Sequence, residues 1–151
     1  MAQTTGSLRA DLAPIIIALP TADRRRSFDF YATGLNLEPI GDLDKDGLPE
    51  PLQFVLNDGA RLMLIPTGGF RGVISNRAVA NSGTSECLLT IVVSDQAGVV
   101  DLIERAKRAG GEIVSQPTEQ PWGYAATFAD PDGHVWQVFP LAILPIYTNA
   151  R

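Results

Sequence analysis

The sequence predicts an α+β protein built from two βαβββ modules in one chain, their strands forming a curved mixed sheet. Three observations carry this expectation. A strand-turn-strand pattern occurs twice: Phe128, Asp132, Gly133 and Pro140 each lie 74 positions after Phe54, Asp58, Gly59 and Pro66. Such a fixed offset marks two copies of one structural unit. In each copy an apolar run, a helix cap and an amphipathic helix precede the hairpin. Finally, one copy is too small to be comfortable alone, whereas two side by side bury a shared interface in a chain that is 45% hydrophobic.

The first module is expected over residues 13–66. Its opening run, 13–19, ends at Pro20 and reads as a buried strand. Asp23 is the expected N-cap. Phe28, Tyr31, Ala32 and Leu35 follow at i, i+3, i+4 and i+7, and Gly34 is the expected left-handed stop. A short strand at 37–40, an acidic loop at 41–51 and a hairpin over 52–56 and 61–65 complete the unit. Residues 67–85 are rich in Gly, Asn and Ser, and form a linker between the modules or a flap over a site.

The second module is expected over 86–140. An opening strand at 86–93 leads to Ser94-Asp95, a second cap. Val99, Ile103, Ala106 and Gly110 form the helix stripe, with Asp101–Arg105 and Glu104–Arg108 as i, i+4 pairs on the other side. Gly110-Gly111 ends the helix, 112–115 is a strand and 116–123 a loop. The hairpin over 124–129 and 135–139 turns at Pro131-Asp132-Gly133, where Pro131 presets φ and Gly133 tolerates a positive φ. Residues 1–12 are expected to be a disordered tail, and 141–151 a C-terminal one.

Composition excludes several classes. A net charge of −5 and a pI near 4.7 argue against nucleic-acid binding, which needs clustered Lys and Arg. The one basic cluster, Arg24-Arg25-Arg26, reads as a solvated helix face. Cys87 is the only cysteine and His134 the only histidine, so an intrachain disulfide and the usual structural zinc sets are excluded. No apolar run reaches the ~20 residues of a membrane span. No signal-peptide pattern opens the chain, and a cytoplasmic location is the expectation. Asp42-Leu43-Asp44-Lys45-Asp46-Gly47 matches the start of a calcium loop, but Gln53 stands where the bidentate Glu is needed, so a solvated acidic loop is the favoured reading. Cys87, on an expected buried strand, reads as a small apolar residue, and His134 as a turn residue.

In this order and spacing, certain motifs resemble the vicinal oxygen chelate superfamily of glyoxalase I, extradiol dioxygenases and bleomycin-resistance proteins. They are Leu19-Pro20-Thr21-Ala22-Asp23 before Ser27-Phe28-Asp29-Phe30-Tyr31, Ala109-Gly110-Gly111-Glu112, Gln120-Pro121-Trp122-Gly123, and Phe128-Ala129-Asp130-Pro131-Asp132-Gly133-His134. The resemblance covers nearly all of residues 13–140. It implies the glyoxalase/bleomycin resistance fold, with the strands of the two modules curved around a central cavity, and a homodimer. It also implies where metal-dependent members would carry ligands: Ile16, Met63, Leu88 or Leu89, and Gln137. Only Gln137 offers an oxygen, so no metal site and no cofactor are expected.

Strand alternation places Arg61, Met63 and Ile65 on one face and Val135, Gln137 and Phe139 on the other module's equivalent. Leu62, Leu64 and Trp136 then belong under the helices. The residues expected around a ligand are Ile16, Phe54, Arg61, Met63, Glu86, Trp122, Tyr124, Gln137 and Phe139: an apolar and aromatic lining with few polar points. The leading expectation is a metal-independent protein binding a small organic molecule. A metal-dependent lyase, isomerase or dioxygenase of the same superfamily, and a protein interaction module, are the alternatives.

Overall fold

The computed structural model describes residues 13–144. The expected N-terminal tail, and residues 145–151 of the expected C-terminal one, lie outside the described residues. The first module contains β1 (Ile15–Thr21), α1 (Arg24–Phe28) prolonged by a π-helical turn over Asp29–Gly34, β2 (Glu38–Ile40), β3 (Leu52–Asn57) and β4 (Ala60–Pro66). A short helix, α2 (Thr67–Val73), leaves it. The second module contains β5 (Leu88–Val93), α3 (Gln96–Arg108), β6 (Glu112–Gln120), β7 (Gly123–Ala129) and β8 (Val135–Pro140), followed by a 3-10 turn at Leu141–Ile143.

The fold is the expected α+β arrangement of two βαβββ modules. The eight strands form two four-stranded mixed sheets, ordered β1-β4-β3-β2 and β5-β8-β7-β6. In each, the opening strand lies parallel to the closing strand at the sheet edge, and the rest is antiparallel. Both helices start where a cap is expected. The Asp23 carboxylate accepts from the Arg26 N–H, and that of Asp95 from the Gly98 N–H.

The π turn explains a departure from the helix stripe. It takes more residues per turn than an α-helix and rotates the side chains that follow. Phe30, which a regular period leaves off the stripe, is fully buried beside Tyr31 and Leu35, while Phe28 is only partly buried. Gly34 is not the left-handed stop; Asn36 takes the positive φ, at 60°. Gly34 serves close approach instead, because a Cβ there would sit 2.3 Å from the Cβ of Ala109, at the end of α3.

Register divides each sheet into two faces. Leu62 and Leu64, with Leu52 and Phe54, turn toward the helices, as do Trp136, Val138, Ala126 and Phe128 in the second module. These side chains join Phe30, Tyr31, Val99, Leu102, Ile103 and Ala106 in one core that spans both modules. Aromatic rings run through it: Phe28 against Phe54, Phe54 against Tyr31, Tyr31 against Trp136, and Trp136 stacked on Phe128. Burying one such side chain stabilises by roughly 1.5–3 kcal/mol. A half-exposed helix pair such as Asp101–Arg105, at 3.2 Å, contributes only about 0.3–0.5 kcal/mol. The rings therefore contribute far more to the packing of the modules than such a surface pair contributes to its helix.

Three segments differ from expectation. Residues 67–73 form α2 despite Gly68, Gly69 and Gly72, whose low helix propensity hides it. β6 runs on to Gln120 through register shifts that accommodate Pro117 at the sheet edge. β5 starts at Leu88, so Glu86 and Cys87 lie in the preceding loop, and Cys87 is exposed where a buried strand position was expected.

Gly34→Ala should destabilise the protein by about 1–3 kcal/mol, since the added methyl overpacks a helix contact. Ala109→Gly in the same chain should recover most of that loss beyond its own helix-propensity cost. Urea denaturation of the two single variants and the double variant gives the coupling.

Candidate functional site

The turn between β7 and β8 is the most heavily bonded surface feature of the second module, and its bonds reach the first. The Asp130 carboxylate, almost wholly buried, accepts from the backbone N–H groups of Asp132 (3.0 Å) and His134 (2.9 Å), which fixes the turn. Gly133 takes φ 92°, as the turn requires. The other Asp130 oxygen accepts the Tyr31 hydroxyl, and that hydroxyl in turn accepts the Trp136 indole N–H at 3.1 Å. Asp132 accepts from the Ala22 N–H at 2.9 Å and from the Ser27 hydroxyl at 3.2 Å. The Ser27 and Thr21 hydroxyls lie 2.6 Å apart and share a hydrogen bond. The His134 Nε2 lies 2.7 Å from the Pro20 carbonyl. A carbonyl only accepts, so Nε2 carries a proton, and in the neutral ring Nδ1 is an acceptor.

Burial pushes the Asp130 carboxyl above its ordinary value, and the Tyr31 hydrogen bond pulls it back. Burial, and behind it the Asp130 charge, pushes the Tyr31 phenol well up, so Tyr31 stays a neutral donor. Asp130, Asp132 and His134 bring potential ligand atoms within 4.8 Å of one another. Asp130 Oδ1 is engaged within its own turn, and Asp130 Oδ2, both Asp132 oxygens and the protonated His134 nitrogen are engaged across the module boundary. The group is a clamp and not a metal site.

The faces of the two sheets that point away from the core are the second region. Ile16 pairs in register with Arg61, and Ala18 with Met63; Leu88 pairs with Val135, and Thr90 with Gln137. Ile16, Arg61, Met63, Leu88, Val135 and Gln137 thus occupy equivalent open-face positions in the two modules. The register decides between Leu88 and Leu89: Leu88 matches Ile16, and Leu89 faces the core. Ile16 is 47% and Leu88 54% exposed. The Thr90 hydroxyl lies 3.4 Å from Gln137 Oε1. Two hydrocarbons, a thioether and one amide do not fit the oxygen and nitrogen donor set that a hard divalent cation takes.

The remaining expected ligand residues scatter. Phe54 is 0% exposed and turned to the helices, because it pairs with Leu62. Tyr124 shares the core-side register of Ala126 and Phe128 and packs against the core. Both are withdrawn from the open faces by strand parity. Phe139 has open-face register but is buried. Trp122 stands at the β6–β7 turn, 59% exposed.

Glu86 lines a different feature, a cavity of about 500 Å3 between the modules. Its walls are the end of β1, α2, residues 78–87, Leu89 on β5 and the β7–β8 turn. The Gly- and Ser-rich segment is therefore both a connection and a cavity wall.

The acidic loop and the basic cluster partner each other. Arg24 pairs with Asp46 and, at 3.0 Å, with Glu50, while Arg25 donates to the Asp46 carbonyl at 2.7 Å. The Leu48 N–H and, behind it, Arg24 hold the Asp46 carboxyl below its usual range. Asp42, Asp44 and Asp46 form no converging ligand group among the described residues. Arg24 is accordingly a loop anchor and not part of a solvated face.

A family model described as Glyoxalase/Bleomycin resistance protein/Dioxygenase superfamily matches residues 15–138. No curated protein sequence matches the chain significantly. Among solved structures, a glyoxalase-related enzyme from Fulvimarina pelagi is 26% identical, with a TM-score of 0.75, covering 90% of this chain and 91% of its own. A hypothetical protein from S. aureus is 23% identical, with a TM-score of 0.70 and coverages of 84% and 92%. A lactoylglutathione lyase from Agrobacterium tumefaciens is 21% identical, with a TM-score of 0.61 and coverages of 88% and 96%. The last two similarities speak to the fold alone.

Tyr31→Phe should cost about 2 kcal/mol at neutral pH, because it leaves a buried carboxylate oxygen and the Trp136 N–H unpaired. The sign of its pH dependence follows from Asp130. A carboxyl raised in the folded state stabilises fully below its unfolded value of about 3.9, and that contribution fades as pH rises through the folded value. The Tyr31 bond opposes this by favouring the ionised form. The cost of Tyr31→Phe should therefore grow with pH, as denaturation of both proteins at about pH 5.5 and pH 8 will read out.

Proposed function

We propose that this chain, which belongs to the Glyoxalase/Bleomycin resistance protein/Dioxygenase superfamily, is a metal-independent member that binds a small organic molecule between open sheet faces brought together in a homodimer. One observation carries this reading. At the open-face positions where the resemblance calls for metal ligands, this chain has Ile16, Met63, Leu88 and Gln137, with Arg61 beside them. Hydrocarbon and thioether surface with an amide and a guanidinium suits an apolar or aromatic ligand bearing one or two polar groups.

The second copy is argued from the edges. β1 and β5 each end a sheet, and Ile15, Ile16, Leu88 and Val92 are exposed along them. Unprotected apolar edge strands are unusual on a lone protein. One four-stranded face is a wall and not a pocket, so enclosing a ligand against it takes a second face. A partner copy supplies one of matching shape, because the modules are duplicates. Trp122, exposed at a turn, is available to the same contact. Among the described residues no helix is long and apolar enough to cross a membrane.

Sedimentation and native mass spectrometry test this together. The protein should be a dimer without stoichiometric divalent metal. Leu88→Asp and Ile16→Asp, both at exposed positions, should give folded monomers. Ligands found by thermal shift should lose their effect in Met63→Arg; saturation at about 100 times Kd is worth about 2.7 kcal/mol of stabilisation. A monomeric wild type, or a metal retained at one per chain and lost in Gln137→Ala, would overturn the proposal.

A further inference from the structure

The cavity between the modules shares only Pro20 and Val135 with the open-face register of the sheets. Of the residues expected around a ligand, Glu86 alone lines it; Ile16, Arg61, Met63 and Gln137 do not. Its volume of about 500 Å3 falls within the range that small-molecule sites occupy, roughly 300–1,000 Å3. It is also built from both modules: the end of β1 and α2 come from one side, and β5 with the β7–β8 turn from the other.

Its chemistry is one-sided. Leu19, Phe70, Ile74, Leu89 and Val135 give it an apolar wall. The ionisable oxygen and nitrogen groups along it are Glu86, Asp132 and His134, and no Lys or Arg is among its lining residues. Asp132 is spent on Ala22, Ser27 and Arg26. His134 donates from Nε2 to Pro20, which leaves Nδ1 as an acceptor. Glu86 forms no ion pair among the described residues. Asn81, Ser82, Thr84 and Ser85 add neutral groups that accept as well as donate; the ionisable groups left to meet a ligand are a carboxylate and, in the neutral ring, an imidazole lone pair. Both ask for a donor, and the carboxylate asks for a positive one.

We propose that this junction cavity is a second binding site, taking a small amine with an apolar or aromatic body: the body against the Leu19, Phe70 and Ile74 wall, and the ammonium donating toward Glu86 and His134 Nδ1. An anion of the same shape is rejected, because it meets Glu86 with like charge and finds no cation.

Cys87, the only thiol of the chain and itself in the cavity lining, is a built-in reporter. The full chain is titrated with 2-(1-naphthyl)ethylamine and, separately, with 1-naphthylacetate, while the rate of Cys87 alkylation by N-ethylmaleimide is followed. The amine should bind saturably, about tenfold tighter than the acetate, a preference of about 1.4 kcal/mol. It should also slow alkylation by about threefold or more, as an occupied cavity excludes the reagent. Glu86→Gln should erase most of the preference between the two probes. Ala80→Trp, at an exposed lining position, should fill the cavity and abolish binding. Met63→Arg on the open face should leave amine binding intact, which separates this site from the one proposed above. Equal affinity for the two probes, binding that survives Ala80→Trp, or an alkylation rate indifferent to the amine would each overturn the proposal.

Discussion

The arrangement of the two modules rests on a buried carboxylate. Asp130 closes its own turn through two backbone N–H groups and spends its second oxygen on Tyr31, a residue of the other module. A buried acid without partners costs several kcal/mol, whereas one whose lone pairs are met holds its surroundings in a single geometry. Because Tyr31 also receives the Trp136 N–H, the same contact sets the stacking of the aromatic core. Hydrophobic burial supplies most of the stability, but it is tolerant of small rotations; the Asp130–Tyr31–Trp136 chain is not. It orients the β7–β8 turn so that Asp132 and His134 reach the end of β1.

This clamp has a consequence for the two proposed ligand regions. Core and clamp occupy the helix side of both sheets, so the opposite faces are left open and the modules turn them outward. At the same boundary, the clamp holds the β7–β8 turn against the end of β1, and the α2 segment arches over the gap to form the junction cavity. One set of bonds therefore sets the exposed sheet surface apart from the partly open cavity between the modules.

Much of this was legible in the sequence, for identifiable reasons. The order of elements followed from the duplicated hairpin and from caps whose geometry is local: Asp23 and Asp95 do what their spacing asks. Strand alternation correctly assigned Leu62, Leu64 and Trp136 to the core. Parity could not place Phe54, because register does not carry across a turn, and β3 contains an irregularity between Val55 and Asn57. Tyr124 failed for a related reason, since the loop expected before it is strand. Phe30 was hidden by a π turn, which periodicity at 3.6 residues cannot register. α2 was hidden by its glycines.

The clamp itself was visible only as a surplus. A tight turn needs one acid and a glycine, which is all that Asp58-Gly59 provides in the first module; there the exposed Asn57 side chain simply accepts from the Gly59 N–H. Asp130-Pro131-Asp132-Gly133-His134 carries an additional acid and a histidine at the matching place. A duplicated turn that is richer in polar groups in one copy has partners outside itself, because buried or half-buried polar groups persist only when satisfied. The difference between the copies, and not the turn motif, held the information about how the modules meet. The same comparison bears on function: the open faces keep equivalent positions in both modules and suit a symmetric pairing, whereas only the β7–β8 turn of the two turns lines the junction cavity.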